Sequence, residues 1–457
     1  MIFKQYYLDC LSQASYLIAE ESTRRAVIVD PRRDIAEYLA DAQEQNLTIV
    51  GVINTHFHAD FVSGHLELAQ ETGAWIGYGR AANPEFEIRS LADGDRIDLG
   101  GVQLGIMETP GHTPESITVL VYERAEDGVP YAALTGDALF IGDVGRPDLL
   151  ASVGLTAEEL GSMLYHSIQT KLMGLPDEVR VFPAHGAGSA CGKNLSTEKQ
   201  STIGEQRRTN YACQPMNEAE FLAVVTEGQP AAPGYFLFNA TINKQAREIL
   251  DAGASVPALS DNQVADAIGA GAVIHDARPG DEYARGYLRG SVSIPADGRM
   301  AETAGMVFTP EQRIVVIAPE GTEQQIATRL ARIGYDQVVG YIPEPDGYLL
   351  RHQDQVEPAS RLRVDQLERV REDVQLIDIR NPGEVVDGMV PGAVHIPLPQ
   401  LPTRAADLAQ DKPTVLYCAG GWRSAVGASF LRSRGFSDVS DLLGGYTAWS
   451  AQHAPAS

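Results

Sequence analysis

Apolar and polar positions alternate from Ile2 to Pro31, clearest in Ser15-Tyr16-Leu17-Ile18-Ala19 and Ala26-Val27-Ile28-Val29-Asp30-Pro31. A period of two predicts half-buried strands, so the chain opens β-rich. The period then lengthens: Ile35, Tyr38, Leu39 and Ala42 predict a helix over 34–45. The β-branched run Leu47-Thr48-Ile49-Val50-Gly51-Val52-Ile53 predicts a buried strand, and His65 to Glu71 a second helix. Strands follow over 97–99, 104–107 and 117–122, then a helix over 157–171 and a strand over 180–182. The stretch 196–257 carries mixed helical patches and the turn-rich Glu227-Gly228-Gln229-Pro230-Ala231-Ala232-Pro233-Gly234, read as a finishing segment and linker.

Polar donors cluster where these strands end. The run to Ile53 delivers Asn54-Thr55-His56-Phe57-His58-Ala59-Asp60-Phe61 to a strand end, where open sites of α/β folds lie. Imidazoles and a carboxylate in one tight turn suit zinc or non-haem iron. Thr109-Pro110-Gly111-His112-Thr113, Leu134-Thr135-Gly136-Asp137 and Val181-Phe182-Pro183-Ala184-His185-Gly186 repeat the device. The 457 residues suffice for about three domains. A net charge of -25 removes the phosphate-neutralising surface of a nucleic-acid enzyme. Neither end reads as a signal peptide or membrane span, so a soluble, cytoplasmic protein is expected, without membrane or nucleic-acid partners. The 4 cysteines, Cys10, Cys191, Cys213 and Cys418, form no Cys-x-x-Cys pair, which argues against a disulfide scaffold.

The order of His and Asp segments resembles the metallo-β-lactamase superfamily over roughly the first half of the chain. That resemblance implies two β-sheets packed between helices. Two-metal members commonly read His-x-His-x-Asp-His; here Phe61 stands at the last position and has no lone pair to give. A single-metal site is therefore expected. The chain is similar to persulfide dioxygenases, which implies one Fe(II) per chain on His56, His112 and Asp137, a facial set with positions open to substrate and O2. His58, Asp60 and His185 are then groups that orient the ligands, or alternative ligands. Zinc is the alternative metal. Arg146, in Gly145-Arg146-Pro147-Asp148, is expected to pair with a substrate carboxylate or to brace the site through Asp148. Cys191, close in sequence to Lys193, is expected as a low-pKa thiol near the pocket mouth.

From about residue 257 the chain repeats itself. Ile274-His275-Asp276-Ala277-Arg278 and Gly290-Ser291-Val292-Ser293-Ile294-Pro295 match Leu376-Ile377-Asp378-Ile379-Arg380 and Gly392-Ala393-Val394-His395-Ile396-Pro397. Residues 313–335 align without gaps on 414–436. Both repeats read as small α/β domains and resemble rhodaneses. In the second, a strand runs into Cys418-Ala419-Gly420-Gly421-Trp422-Arg423-Ser424 and then a helix. Backbone N–H groups of such a loop suit a thiolate or persulfide anion, and Arg423 adds a fixed charge. In the first repeat the ungapped alignment puts Ile317 where Cys418 stands, so that repeat is expected to be inactive.

The expected architecture is thus α/β throughout: an αββα metallo-β-lactamase sandwich over 1–240, a rhodanese-like domain without the cysteine over 257–352, and a rhodanese domain over 362–457. What the resemblance implies is oxidation of a low-molecular-weight persulfide with O2 to sulfite and thiol, then conversion of sulfite and persulfide to thiosulfate at Cys418 and Arg423. A homo-oligomer is expected. The alternatives are a zinc thioester hydrolase fused to a sulfurtransferase, and a sulfur-carrier scaffold with an inert metal domain.

Overall fold

The structure is a computed structural model that describes residues 1–149, 155–251 and 254–453. The chain divides into two compact units, Met1–Ala232 with Phe236–Ala252, and Pro233–Tyr235 with Gly253–Ser457.

The first unit holds two six-stranded sheets. One runs in sequence order through β1 (Ile2–Leu8), β2 (Gln13–Ala19), β3 (Arg25–Val29), β4 (Thr48–Ile53), β5 (Trp75–Gly79) and β6 (Arg89–Leu91). The other contains β7 (Arg96–Asp98), β8 (Gln103–Glu108), β9 (Ile117–Tyr122), β10 (Ala132–Gly136), β11 (Arg180–Pro183) and β12 (Ser201–Thr202), again in sequence order. Alternation explains the layering. Tyr16, Ile18, Val27, Val29 and Ile53 from one sheet meet Leu104, Ile106, Val119, Val121 and Leu134 from the other in one buried core. Truncating a core leucine such as Leu134 to alanine would cost about 2–5 kcal/mol.

Residues of opposite parity face the helices. Leu17, Ile28 and Val52 pack against Tyr38 and Ala42 of the helix Ala36–Glu44 and against Leu68 of His65–Thr72. Ala133 and Val181 pack against Leu164 of the helix Ala157–His166, whose start is set by a Thr156/Glu159 capping box. The αββα sandwich expected from the sequence is present.

The second unit carries the duplication. Its strands are β13 (Val273–Asp276), β14 (Tyr287–Leu288), β15 (Ser291–Ser293), β16 (Ile314–Ile317), β17 (Val338–Tyr341), β18 (Val356–Glu357), β19 (Ser360–Leu362), β20 (Gln375–Asp378), β21 (Val394–His395), β22 (Thr414–Tyr417) and β23 (Val439–Leu442). One repeat forms a four-stranded sheet in the order β15-β13-β16-β17, the other a five-stranded sheet in the order β19-β23-β22-β20-β21. Neighbours in both are parallel, as strand-helix alternation predicts.

Strand register corrects one expectation. Asp276 pairs with Ile317 in the first repeat, and Asp378 with Tyr417 in the second. Gly321 (φ 80°) and Gly421 (φ 102°) then occupy the same left-handed position just before the following helix. Ala318, not Ile317, stands where Cys418 does, and Glu323 stands where Arg423 does. The ungapped alignment slips because the second repeat's helix is longer, Trp422–Ser433 against Glu323–Ala331.

Candidate metal centre and sulfur-transfer loop

Four chain segments deliver the predicted ligands. His56, His58 and Asp60 follow β4, His112 lies between β8 and β9, Asp137 directly follows β10, and His185 follows β11. All are buried. Ligand atoms of His56, His112 and Asp137 lie within 4.8 Å of one another. Asp137 Oδ2 is 3.7 Å from His56 Nε2 and 3.4 Å from His112 Nε2.

The hydrogen bonds around the imidazoles fix their tautomers. Thr55 Oγ1 donates its proton to Asp30 Oδ2 at 2.9 Å, so at 3.0 Å it accepts from His56 Nδ1. His112 Nδ1 donates to the Arg146 carbonyl at 2.9 Å. Each ring therefore presents Nε2 as a lone pair. Burial first, then the neighbouring imidazoles, hold His56 well below the usual histidine range, which keeps it neutral. Burial opposes the charge of Asp137, but His185, His56 and His112 around it keep its carboxyl well below the usual range. Among the described residues, buried His56 Nε2 and Asp137 Oδ2 have no hydrogen-bond partner. Two imidazole Nε2 atoms and a carboxylate oxygen converging here, with those of His56 and Asp137 unpartnered, are what a divalent cation requires, so these residues fit a metal.

A second group, His58, Asp60 and His185, also has its ligand atoms within 4.8 Å. The buried Phe61 ring lies 4.3 Å from that of His58 and 6.3 Å from that of His185, so an apolar face stands beside the group without separating its members. His185 bridges the two groups, with Nδ1 2.7 Å from Asp137 Oδ1 and Nε2 2.7 Å from Asp60 Oδ2. Although burial opposes it, these carboxylates raise His185 well above the usual range.

Of two further predicted residues, Cys191 differs from expectation and Arg146 takes one of the two roles expected of it. Cys191 is buried and joins Asp137 and His185 in a third close group. Burial, then Asp60 and Asp137, push its thiol well up, the reverse of a low-pKa thiol. Lys193 instead reaches the carbonyls of Val224 and Glu227. Arg146 binds Asp148 through two hydrogen bonds of 2.7 and 2.6 Å and the Pro230 carbonyl at 2.6 Å, the geometry of a brace. Gly145 makes room there: a Cβ would strike the Asp137 carbonyl and crowd His112 Nδ1 at 3.0 Å.

Sequence reasoning missed three groups that hold the ligand loop. Asp30 accepts from Thr55 N at 2.7 Å and lies 2.9 Å from His58 Nε2. Glu115 accepts from Phe57 N at 2.9 Å. Asn243, placed in the supposed linker, donates to the carbonyls of His58 and Phe61, each at 2.8 Å, and accepts from Ser63 N at 2.9 Å. Nearby Arg247 binds Ser63 O and Glu67. An asparagine and an arginine four apart in a segment beyond the last helical pattern were the available signal.

In the second unit, β22 runs into buried Cys418, whose sulfur accepts from Gly421 N at 3.1 Å. The helix Trp422–Ser433 starts at the same place and aims its amino end at the loop. Arg423 is at hand, with both terminal nitrogens on Glu384.

Residues 8–185 match the Metallo-beta-lactamase superfamily model, and residues 260–343 and 364–452 match the Rhodanese-like domain model. The chain is 30% identical to the human "Persulfide dioxygenase ETHE1, mitochondrial" over 189 residues, covering 40% of this chain and 68% of that protein. Against the mouse protein of the same name, identity is 31% over 216 residues, covering 46% of this chain and 75% of the other. A "Beta-lactamase hydrolase-like protein" of Xylella fastidiosa is 30% identical over 245 residues, 47% of this chain; the chain spans about half of that relative, 52%. Among solved structures, a metallo-beta-lactamase from Staphylococcus aureus superposes with a TM-score of 0.67 at 34% identity, covering 74% of this chain and 98% of the other.

Proposed function

Since the chain belongs to the persulfide dioxygenase family of the metallo-β-lactamase superfamily and carries two rhodanese-like domains behind it, we propose that it oxidises a low-molecular-weight persulfide with O2 and passes sulfur onward at Cys418. The observation that carries this reading is the convergence of His56 Nε2, His112 Nε2 and Asp137 Oδ2 at one buried point. In this reading one Fe(II) per chain sits on those three atoms. Iron bound there would supply redox chemistry and open positions for a persulfide sulfur and O2.

The protein's own groups prepare that site. Thr55 and the Arg146 carbonyl hold the ligand tautomers, and His185 takes one Asp137 oxygen so that the other faces the metal point. Phe61 and Phe140 flank His185, each 6.3 Å away between ring centres, and keep bulk water from it. The products are sulfite and the parent thiol. At the second repeat Cys418 accepts a sulfane sulfur from another persulfide, and sulfite removes it as thiosulfate. Labour divides over 1–240, 257–352 and 362–457, with the middle segment lacking a nucleophile. A cytoplasmic setting is part of this reading; among the described residues no helix is long and apolar enough to cross a membrane.

The test is metal content of anaerobically purified protein with O2 uptake on adding glutathione persulfide. His112→Ala should lose both metal and uptake. Full uptake by zinc-loaded protein would overturn the reading, since zinc has no redox chemistry to offer. A zinc hydrolase is a second reading, favoured by the intact His58, Asp60, His185 group.

A further inference from the structure

Around the Cys418 loop each named guanidinium already faces a carboxylate. Arg361 lies 2.8 Å from Asp441, Arg380 2.6 Å from Asp378, and Arg423 2.6 Å from Glu384. Arg423 is expected from sequence to turn a fixed positive charge toward an anion in the loop. Its NH1 and NH2 instead bind Glu384 Oε2 and Oε1 at 2.7 and 2.6 Å, a closed fork, and Glu384 Oε2 is further held by Asn381 N at 2.9 Å. Burial opposes the Arg423 charge; Glu384, and after it Cys418, stabilise it.

A cavity of about 540 Å³ opens over Gly420, Gly421 and Trp422, walled by both repeats. Its charged lining is Asp281 and Asp297 from the first repeat and the already paired Arg361 from the second. Beyond that, Gly421 N–H and the helix amino end meet an anion at Cys418, and these carry only fractional charge.

We propose that Glu384 is a positioning residue that, by closing Arg423 into an ion pair, sets which sulfur donor loads Cys418: a persulfide, which reacts as RS–SH with no charge at its reacting end, over thiosulfate, with two negative charges. The proposal rests on the reading of Cys418 as sulfur acceptor. In loading from a persulfide, the Cys418 thiolate attacks the terminal sulfur of RS–SH. The new S–S bond forms as the old one breaks, RS⁻ leaves with the electron pair, and the proton stays on the transferred sulfur. From thiosulfate the same attack expels sulfite with the electron pair, and both negative charges of the donor must first enter a lining without a free cation. An open Arg423 would remove that barrier; Glu384 keeps it in place.

Initial loading rates are measured from the mass of the intact full-length chain at rising glutathione persulfide or thiosulfate, with Cys418→Ser as the blank. Glu384→Gln should lower the thiosulfate concentration for half-maximal rate about tenfold, the scale of one charge-assisted hydrogen bond, and move the persulfide value far less. Glu384→Asp, which keeps the charge, should return the donor ratio toward wild type. Glu384→Ala gives the same reading should the glutamine variant not fold. A parallel change for both donors, a fall in maximal rate at unchanged half-saturation, or no change at all would overturn the proposal and leave a purely structural pair. Failure of both donors to load wild-type Cys418 would overturn the sulfur-acceptor reading itself, and this proposal with it.

Discussion

The side-chain amide of Asn243 donates to the backbone carbonyl of Phe61 at 2.8 Å, across 182 residues of chain. With its bonds to His58 O and Ser63 N it pins the loop that carries His58 and Asp60. Asn243→Ala leaves these buried groups unpartnered. Stability should fall by about 3 kcal/mol, and metal affinity by about tenfold. Urea unfolding and metal titration read the two separately, and an unchanged affinity would confine Asn243 to a folding role.

Phe61 fills the space beside His58, Asp60 and His185. Phe61→His should raise zinc capacity toward two per chain, because a fourth donor joins a group already within 4.8 Å. O2 uptake should fall. Unchanged stoichiometry in equilibrium dialysis would mean that the bonds already made by His58 and His185 exclude the second ion.

His275 gives the second unit a pH dependence. Burial, opposed by its bond to the Ile294 carbonyl and aided by Arg329, lowers it from 6.5 to about 4. Above pH 6.5 neither folded nor unfolded chain holds this proton and the contribution is full. As pH falls from 6.5 toward 4 the unfolded chain takes the proton first, and about 3 kcal/mol is lost. His275→Gln should flatten that part of the profile in urea unfolding. A wild-type-minus-variant difference that stays constant across the window would refute the assignment.

Cys418→Ser should separate the two chemistries. The thiol lies in the second unit and the proposed metal donors in the first. O2 uptake from persulfide should stay near wild type while sulfite replaces thiosulfate as the product. Thiosulfate also forms spontaneously, so rates are compared with matched sulfite alone. Thiosulfate made at wild-type speed above that control would disprove the coupling.

The ligand order was legible because each donor sits at a strand end, and hydrophobic periodicity marks strand ends well. The choice of His56, His112 and Asp137 as one set comes instead from the resemblance to persulfide dioxygenases, and their ligand atoms lie within 4.8 Å of one another. Asn243 was not legible, since a hydrogen bond across 185 residues leaves no periodic trace. Cys191 was misjudged because nearness to Lys193 in sequence says nothing of burial, and burial dominates its thiol. The one-residue slip between repeats has a similar origin. Ala318 and Cys418 become equivalent only when strand pairing is known, and an extra helical residue hides it from an ungapped alignment.

The proposed metal donors come from both sheets of the sandwich, His56 after β4 and His112 and Asp137 beside strands of the opposite sheet. A cation at that point is a cross-link between two layers that share no strand. It ties segments 81 residues apart, His56 to Asp137, much as a disulfide closes a loop, and its binding energy adds to folding. Loss of the ion would therefore soften the whole first unit as well as silence its chemistry. Protease resistance and heat tolerance of the sandwich should rise and fall with metal occupancy, so the supply of the ion would govern how long the protein lasts.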